Sequence, residues 1–275
     1  MSTGIVDPWN TYLEKQGHEF SSQAESLLQR RETGNRLFLE NGFPNRKHEE
    51  WRYTPLKSLA AEEYATRLPV DGQLPGYDEL ATNSDIRIVV INGRFRDDLS
   101  DLTALPDSVK IQGLASLLDS SPESISKDLD RMIPSVDHPF QNLGDALLED
   151  GLVITADGNT DARIHILHAQ DGTQSTGASH VSGLVRLSGG AKIEILEEFR
   201  SSGKTLANIR WGMEIGSGCE FSRHRIVRPG CDVLYHATRA VLEGKALFKD
   251  LIAGSGARLF RNEIHAILNG PEGHV

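Results

Sequence analysis

From Gly151 to the C-terminus the chain is a succession of short apolar or alternating runs: "LVITA", "ARIHILHA", "SGLVRLSG", "AKIEILEEF", "CEFSRHRIV", "DVLYHATRAVL", "ALFKDLIA" and "ARLFRNEIHAIL". Alternation with period two predicts half-buried β-strands, and no helical period interrupts them. Glycine-rich corners separate most of the runs. One corner form recurs, in "SGGAKIEI" at 188–195, "GSGCEFSR" at 216–223 and "GSGARLFR" at 254–261. A repeated corner is the mark of a stacked architecture in which each coil buries its apolar face on its neighbours. A two-sheet sandwich is the alternative, but only Asp157-Gly158 has the form of a tight hairpin turn. The pattern therefore predicts a β-solenoid.

The first eighty-odd residues read as helical. Ser22 and Glu25 form a capping box, and Phe20, Ala24, Leu27 and Leu28 lie on one stripe. Asn41-Gly42, with Pro44 beyond, is the expected stop. Gly34 lies inside this helix at a cost of about 1 kcal/mol relative to alanine. Thr54 reads as an N-cap with Pro55 at the first helical position, leading into Leu56, Leu59 and Ala60. "LPVDGQLPGYDEL", Leu68 to Leu80, is a linker by its proline and glycine content. "IRIVVI", Ile86 to Ile91, is a strand ended by Asn92-Gly93. Residues 112–150 return to helix, with Ser121-Pro122 as a start, Phe140, Leu143 and Leu147 as a stripe and Gly151 as a terminator. The organisation expected is a helical N-terminal domain over 1–84 and a β core over 85–275, interrupted by a helical interlude near 112–150.

Composition narrows the function classes. The 275 residues are 38% hydrophobic and 25% charged, with no apolar run long enough to span a bilayer. A formal net charge of −10 argues against a phosphate-backbone partner. "MSTGIVDPWN" lacks the charged-then-apolar order of a secretory signal, and two cysteines make no disulfide framework, so a reducing cytoplasm is expected.

Candidate chemistry is sparse. Cys219, His224, Cys231 and His236 have the residue types of a structural zinc site. However, Cys219 and His224 are five apart and point to opposite faces of a regular strand. The simpler reading has both cysteines inward as small apolar side chains and the histidines on the surface. His165 and His168 also differ in parity, so a shared ligand role needs a bulge. His265 and Glu263 share a strand face and form a candidate acid–base pair, with no nucleophile at hand. Glu194, Glu197 and Glu198 are the one acidic cluster a solenoid enzyme acting on polysaccharide would need, and they read as a solvated strand edge. No P-loop and no G-x-S-x-G elbow is present. No catalytic, cofactor-binding or metal residue is expected.

The stretch "KHEEWRYTPLKSL", Lys47 to Leu59, is the most distinctive in the chain. Read as extended, it lets Trp51 and Tyr53 dock on one surface while Arg52 faces away, which makes it a clasp between the helical segment and the rest. Pro44, Lys47, Glu49, Trp51, Arg52, Tyr53, Thr54 and Leu56 also match the N-terminal signature "P-x-x-K-x-E-x-W-R-Y-T-x-L" of the SufD branch of the SufB/SufD family. That family works in iron–sulfur cluster assembly. "HPFQNLGDALLEDGLVITADGNTDARIHILH" at 138–168 resembles the start of the family's β-helix, departing from it at Leu143-Gly144. "GARLFRNEIHAILNGPEG" at 256–273 resembles its later coils.

The resemblance implies a right-handed parallel β-helix behind a helical N-terminal domain, and a scaffold without catalytic residues. It implies Lys47, Glu49, Trp51, Arg52, Tyr53 and Thr54 as the family motif and interdomain anchor. It further implies a SufB-like paralogue and a SufC-like ATPase as partners, with the iron–sulfur cluster held mainly by the SufB-like subunit and no cofactor in this chain. The sequence stops at "LNGPEGHV", where the family continues into further coils and a C-terminal helical domain carrying the contacts to both partners. A stack ending there is expected to expose an apolar coil and unpaired backbone, and so to self-associate or belong to a longer chain.

Overall fold

A computed structural model describes residues 8–16, 25–44, 49–54, 56, 64, 67–69, 72, 86–136 and 138–275. Two helices open it, α1 (Pro8–Gln16) and α2 (Glu25–Asn41). Next come β1 (Ile86–Ile91), β2 (Arg94–Phe95) and β3 (Val109–Gly113). Three helices follow, α3 (Leu114–Ser120), α4 (Pro122–Met132) and α5 (Pro139–Ala146). The remainder is strand: β4 (Asp150–Ala156), β5 (Asp161–Leu187), β6 (Lys192–Ile215), β7 (Glu220–Val227), β8 (Val233–Leu242), β9 (Leu247–Gly254) and β10 (Leu259–Leu268).

Register turns these strands into a solenoid of about four turns. β5 and β6 each run the length of one coil and bend at a corner, so each contributes to two faces. On the first face, β1 pairs in parallel with the first half of β5, then the first half of β6, then β7, then β9. On the second, β3 pairs antiparallel with β4, followed in parallel by the second halves of β5 and β6, then β8 and β10. Inward positions from both faces make the principal core, from Ile86, Ile88 and Val90 through Ile164 and Ile195 to Trp211, Met213, Leu242 and Phe248.

The corners form two columns. Ser188–Ala191 and Gly216–Cys219 stack in one, together with Glu243–Ala246; Gly216 N bonds Leu187 O and Gly218 N bonds Gly244 O. "GSGA" at 254–257 belongs to the opposite column, because Ser255 N bonds Val227 O and a Cβ on Gly256 would lie against Pro229. The single recurrent corner expected from sequence is thus two corners with the same chemistry. Asp157-Gly158 turns such a corner and is no hairpin. The tight hairpin is Asn92-Gly93, with φ of 49° and 85°, joining β1 to β2.

α2 ends at Asn41 and Gly42 follows in the left-handed region (φ 62°), as the Asn-Gly signal predicts. Gly34 has a packing reason: a Cβ there would meet Asn142 O at 2.6 Å and Ala146 N at 2.7 Å, so α2 and α5 touch backbone to backbone. Arg30 locks the crossing from α2, with Nε on Asp145 Oδ1 (2.9 Å) and Nη1 on Asp130 Oδ1 (2.8 Å). Ser121-Pro122 does open α4. The interlude holds one strand, β3, that the helical reading of 112–150 omits at its start. α5 stops at Ala146, and Gly151 lies in β4, where a Cβ would strike Ser182 O at 1.9 Å. The expected capping box at Ser22, the helix after Pro55 and most of the 68–80 linker lie outside the described residues. Among the described residues no helix is long and apolar enough to cross a membrane.

Candidate functional site: an ionic lumen and an aromatic clasp

In the first coils the lumen is aliphatic; in the later ones buried charged side chains join apolar ones such as Phe221, Leu242 and Phe248. Strand parity places Ile193, Ile195, Glu197 and Phe199 on the inward side of β6, and Phe221, Arg223, Arg225 and Val227 on that of β7. Glu197, Glu198, Arg223, Arg225 and His236 are all buried. This overturns two expectations: Glu197 and Glu198 are no solvated edge, and His236 is no surface histidine.

Glu197 is the hub. His168 Nε2 lies 2.9 Å and Trp211 Nε1 3.0 Å from its Oε1, while His236 Nε2 lies 3.4 Å from its Oε2. A Cβ on Gly183 would fall 2.3 Å from the Trp211 ring, so that glycine makes room for the indole. One level along the stack, Asp250 takes Arg223 Nη2 at 2.9 Å, Arg225 Nε at 3.0 Å and Arg225 Nη2 at 2.6 Å. Arg225 Nη1 reaches Asn262 Oδ1 (2.6 Å) and His236 Nδ1 (3.0 Å), and Arg223 Nη2 reaches Thr238 Oγ1 (2.8 Å). Burial alone would raise the Glu197 pKa; the contacts with His236 and His168 outweigh it and hold the carboxyl well below its ordinary range. Burial pushes His236 down to about 4, against the pull of Glu197.

Two imidazoles and a carboxylate are also the donor set of a non-haem ferrous site. Arg225 argues against that use. Its guanidinium can only donate, so His236 Nδ1 accepts and the neutral ring carries its proton on Nε2, the atom facing Glu197. That nitrogen has no lone pair for a metal. Among the described residues no cluster of three His, Cys, Asp or Glu has metal-holding geometry. The cysteines are free and buried at opposite ends of β7, whose eight residues span roughly 26 Å at about 3.3 Å each. Burial raises the Cys231 thiol to about 11. His224 sits on the outer face against Glu194 at 3.7 Å, so the four zinc-type residues do not converge.

His165 and His168 point to opposite sides, as parity requires. His165 meets Glu198 at 3.3 Å, and Glu198 also receives Arg200 Nε (2.9 Å) and Arg228 Nε (2.8 Å), which holds its pKa at about 2 against burial. Glu194 faces Arg163 as well as His224. The three glutamates therefore form no shared acidic surface. Glu263 is turned to other partners: Tyr235 Oη donates to it at 2.7 Å, Arg261 Nε at 2.5 Å, and His138 Nε2 lies at 3.2 Å. His265 beside it on the strand is exposed.

Within the motif stretch, Glu49–Trp51 are not extended but form a 3₁₀ turn. Trp51 and Tyr53 part company: Trp51 is buried and Tyr53 is 88% exposed. Arg52 lies over the Tyr53 ring at 5.7 Å. Trp51 stacks on Phe140 (5.8 Å, 27°), which stacks on Tyr235 (4.4 Å, 10°). The Arg261 guanidinium covers the indole at 3.8 Å from its centre, and its Nη1 donates to Glu50 O (3.0 Å) and Thr54 Oγ1 (3.3 Å). Glu49 is exposed, and Lys47 lies outside the described residues.

The SufBD protein N-terminal region family matches residues 9–162. The iron–sulfur cluster assembly protein SufD of Escherichia coli is 29% identical over 142 residues, covering 46% of this chain and 31% of that protein. An iron–sulfur cluster assembly SufBD family protein of Synechocystis is 23% identical over 267 residues, covering 92% of this chain and 59% of that protein. The chain thus spans about a third and about three fifths of these relatives' lengths. With more than half of its residues inside the family match and a parallel β-solenoid behind them, this chain belongs to the SufBD family.

Proposed function

We propose that this chain is a SufD-like, non-catalytic scaffold subunit of cytoplasmic iron–sulfur cluster assembly, partnered by a SufB-like paralogue and a SufC-like ATPase. The family match over 9–162 carries the reading. The local chemistry supports it: the ionisable groups brought together in the lumen are spent on one another, as Asp250 is on Arg223 and Arg225. In this reading the cluster is cargo ligated mainly by the SufB-like partner. Residues 47–54 anchor a helical domain, 1–84, to the β core, with Trp51 as the buried element and Tyr53 left outside.

Co-expression with tagged SufB-like and SufC-like subunits tests the proposal. A stable ternary complex on size exclusion is the expected result; an untagged chain eluting alone from an intact complex of the other two defeats it. Anaerobic reconstitution with iron and sulfide addresses the alternative that the chain itself carries a metal or cluster on Cys219 and Cys231. The chain should yield no cluster absorption; absorption that a Cys219→Ser, Cys231→Ser double variant abolishes would assign cluster carriage to the chain itself.

A further inference from the structure

Two arginines three positions apart, Arg258 and Arg261, lie at the start of β10 and in the corner before it, and each grips an aromatic residue from the N-terminal part. Arg261 does so at Trp51, as described. Arg258 does so at Tyr64: its Nη2 donates to Tyr64 Oη at 2.6 Å, its centre lies 5.9 Å from that ring, and its Nε donates to Asp232 Oδ1 at 2.6 Å. Tyr64 Oη also donates to Asp232 and is buried. Trp51 and Tyr64 are separated from these arginines by about two hundred residues of chain, yet both grips come from one short stretch of β10 and the corner before it.

The grips are unlike ordinary surface contacts. Each guanidinium has a carboxylate fixing its orientation, Glu263 for Arg261 and Asp232 for Arg258. Each then offers a planar face or a second N–H to the aromatic, the arrangement at which arginine surpasses lysine. Glu263 is itself tied to β8 through Tyr235 and to the segment before α5 through His138. Displacing β10 would therefore withdraw both cations and the carboxylate hub together. The stacked faces of Phe140 and Tyr235 would remain, because they belong to α5 and β8.

We propose that Glu49–Thr54 and Tyr64 form a strap whose docking is thermodynamically coupled to the seating of β10 through Arg258 and Arg261, so that a displacement of β10 is transmitted to the N-terminal helical segment. The proposal builds on the anchoring role assigned above to residues 47–54, but is independent of which subunits the chain binds. Coupling of this kind is reciprocal, which gives it two readouts.

The first is fluorine NMR of the protein carrying 5-fluorotryptophan, whose three resonances correspond to its three tryptophans, with Trp51 assigned by Trp51→Phe. Arg261→Ala should move the Trp51 resonance toward the solvent-exposed position, Arg261→Lys only partway, and Arg239→Ala, on the neighbouring strand, not at all. The second is amide exchange: Trp51→Ala should accelerate exchange across residues 259–268 on the order of tenfold while leaving β1 unchanged. Circular dichroism confirms that each variant is folded, and Arg261→Lys serves if Arg261→Ala is not. A Trp51 resonance indifferent to Arg261, or β10 exchange indifferent to Trp51, overturns the coupling. A failed co-purification with partner subunits would leave both readouts standing.

Discussion

Asp250→Asn is the sharpest test of the ionic lumen. The substitution preserves shape and removes one negative charge, leaving the Arg223 and Arg225 guanidiniums, each with 1% of its side chain exposed, without their shared carboxylate. Asp250 makes three bonds of 3.0 Å or less to the pair, and the new amide turns donors toward donors. Breaking a buried ion pair by removing one partner costs about 3–5 kcal/mol, because an uncompensated charge stays inside. Taking about 4 kcal/mol and a urea slope of about 3 kcal/mol/M, the unfolding midpoint should fall by about 1.3 M. Glu220→Gln is the control: it breaks the exposed, solvent-screened Lys192–Glu220 pair at 2.7 Å and should leave the midpoint nearly unchanged. Adding Arg223→Met to Asp250→Asn should recover part of the loss, since one stranded cation is removed. The two substitutions can be compared by urea titration at pH 7. Equal midpoints for Asp250→Asn and Glu220→Gln, or no recovery in the double variant, would refute the view that the lumen is a charge-matched interior.

Three further outcomes are expected. Gly34→Ala should destabilise although helix propensity favours alanine by about 1 kcal/mol, because the added Cβ would press on the backbone of α5 at 2.6–2.7 Å; a thermal melt decides the sign. Stability should rise with pH across the acidic range. Glu198 and Glu263 are held at about 2 against 4.5 when free, so their contribution is present above about 4.5 and lost as pH falls toward 2. Burial holds His236 at about 4 and the β5 residue His180, close to Arg210, at about 3 when folded against 6.5 free, which adds a loss that begins below about 6.5. A pH series of denaturant melts showing a plateau from 7 down to 3 would contradict both. The Cys231 thiol, buried and raised to about 11, should ignore Ellman's reagent until the protein unfolds; prompt labelling at pH 7.5 would count against its placement.

The solenoid was legible because alternation and glycine corners are local signals. The two corner columns were not separable by sequence, since "GSGC" and "GSGA" share a chemistry and differ only in which coil edge they turn. The ionic groups of the lumen are hidden from a local reading for a different reason. A Glu-Glu pair after "KIEIL" resembles a wet edge when read alone, and its partners His168, Arg223 and His236 lie in other coils. Parity was the available signal: Glu197 is in step with Ile193 and Ile195, and Arg223 and Arg225 with Phe221 and Val227. A charged residue in step with core positions must be buried and matched from a neighbouring level. Tyr53 failed the opposite way. An extended reading of "WRYT" put it beside Trp51, whereas one 3₁₀ turn rotates it into solvent.

Gly183, with no side chain over the Trp211 indole, and Asp250, answering arginines one coil back, make adjacent levels of this stack non-interchangeable. Most solenoids lengthen or shorten by whole repeats, because any rung fits any other. Here the ionic rungs are keyed to one another like wards in a lock, so a coil duplicated or deleted between β6 and β10 would bring like charges face to face. Copying a coil there would part Asp250 from the arginines it answers, a cost that purely aliphatic rungs do not impose.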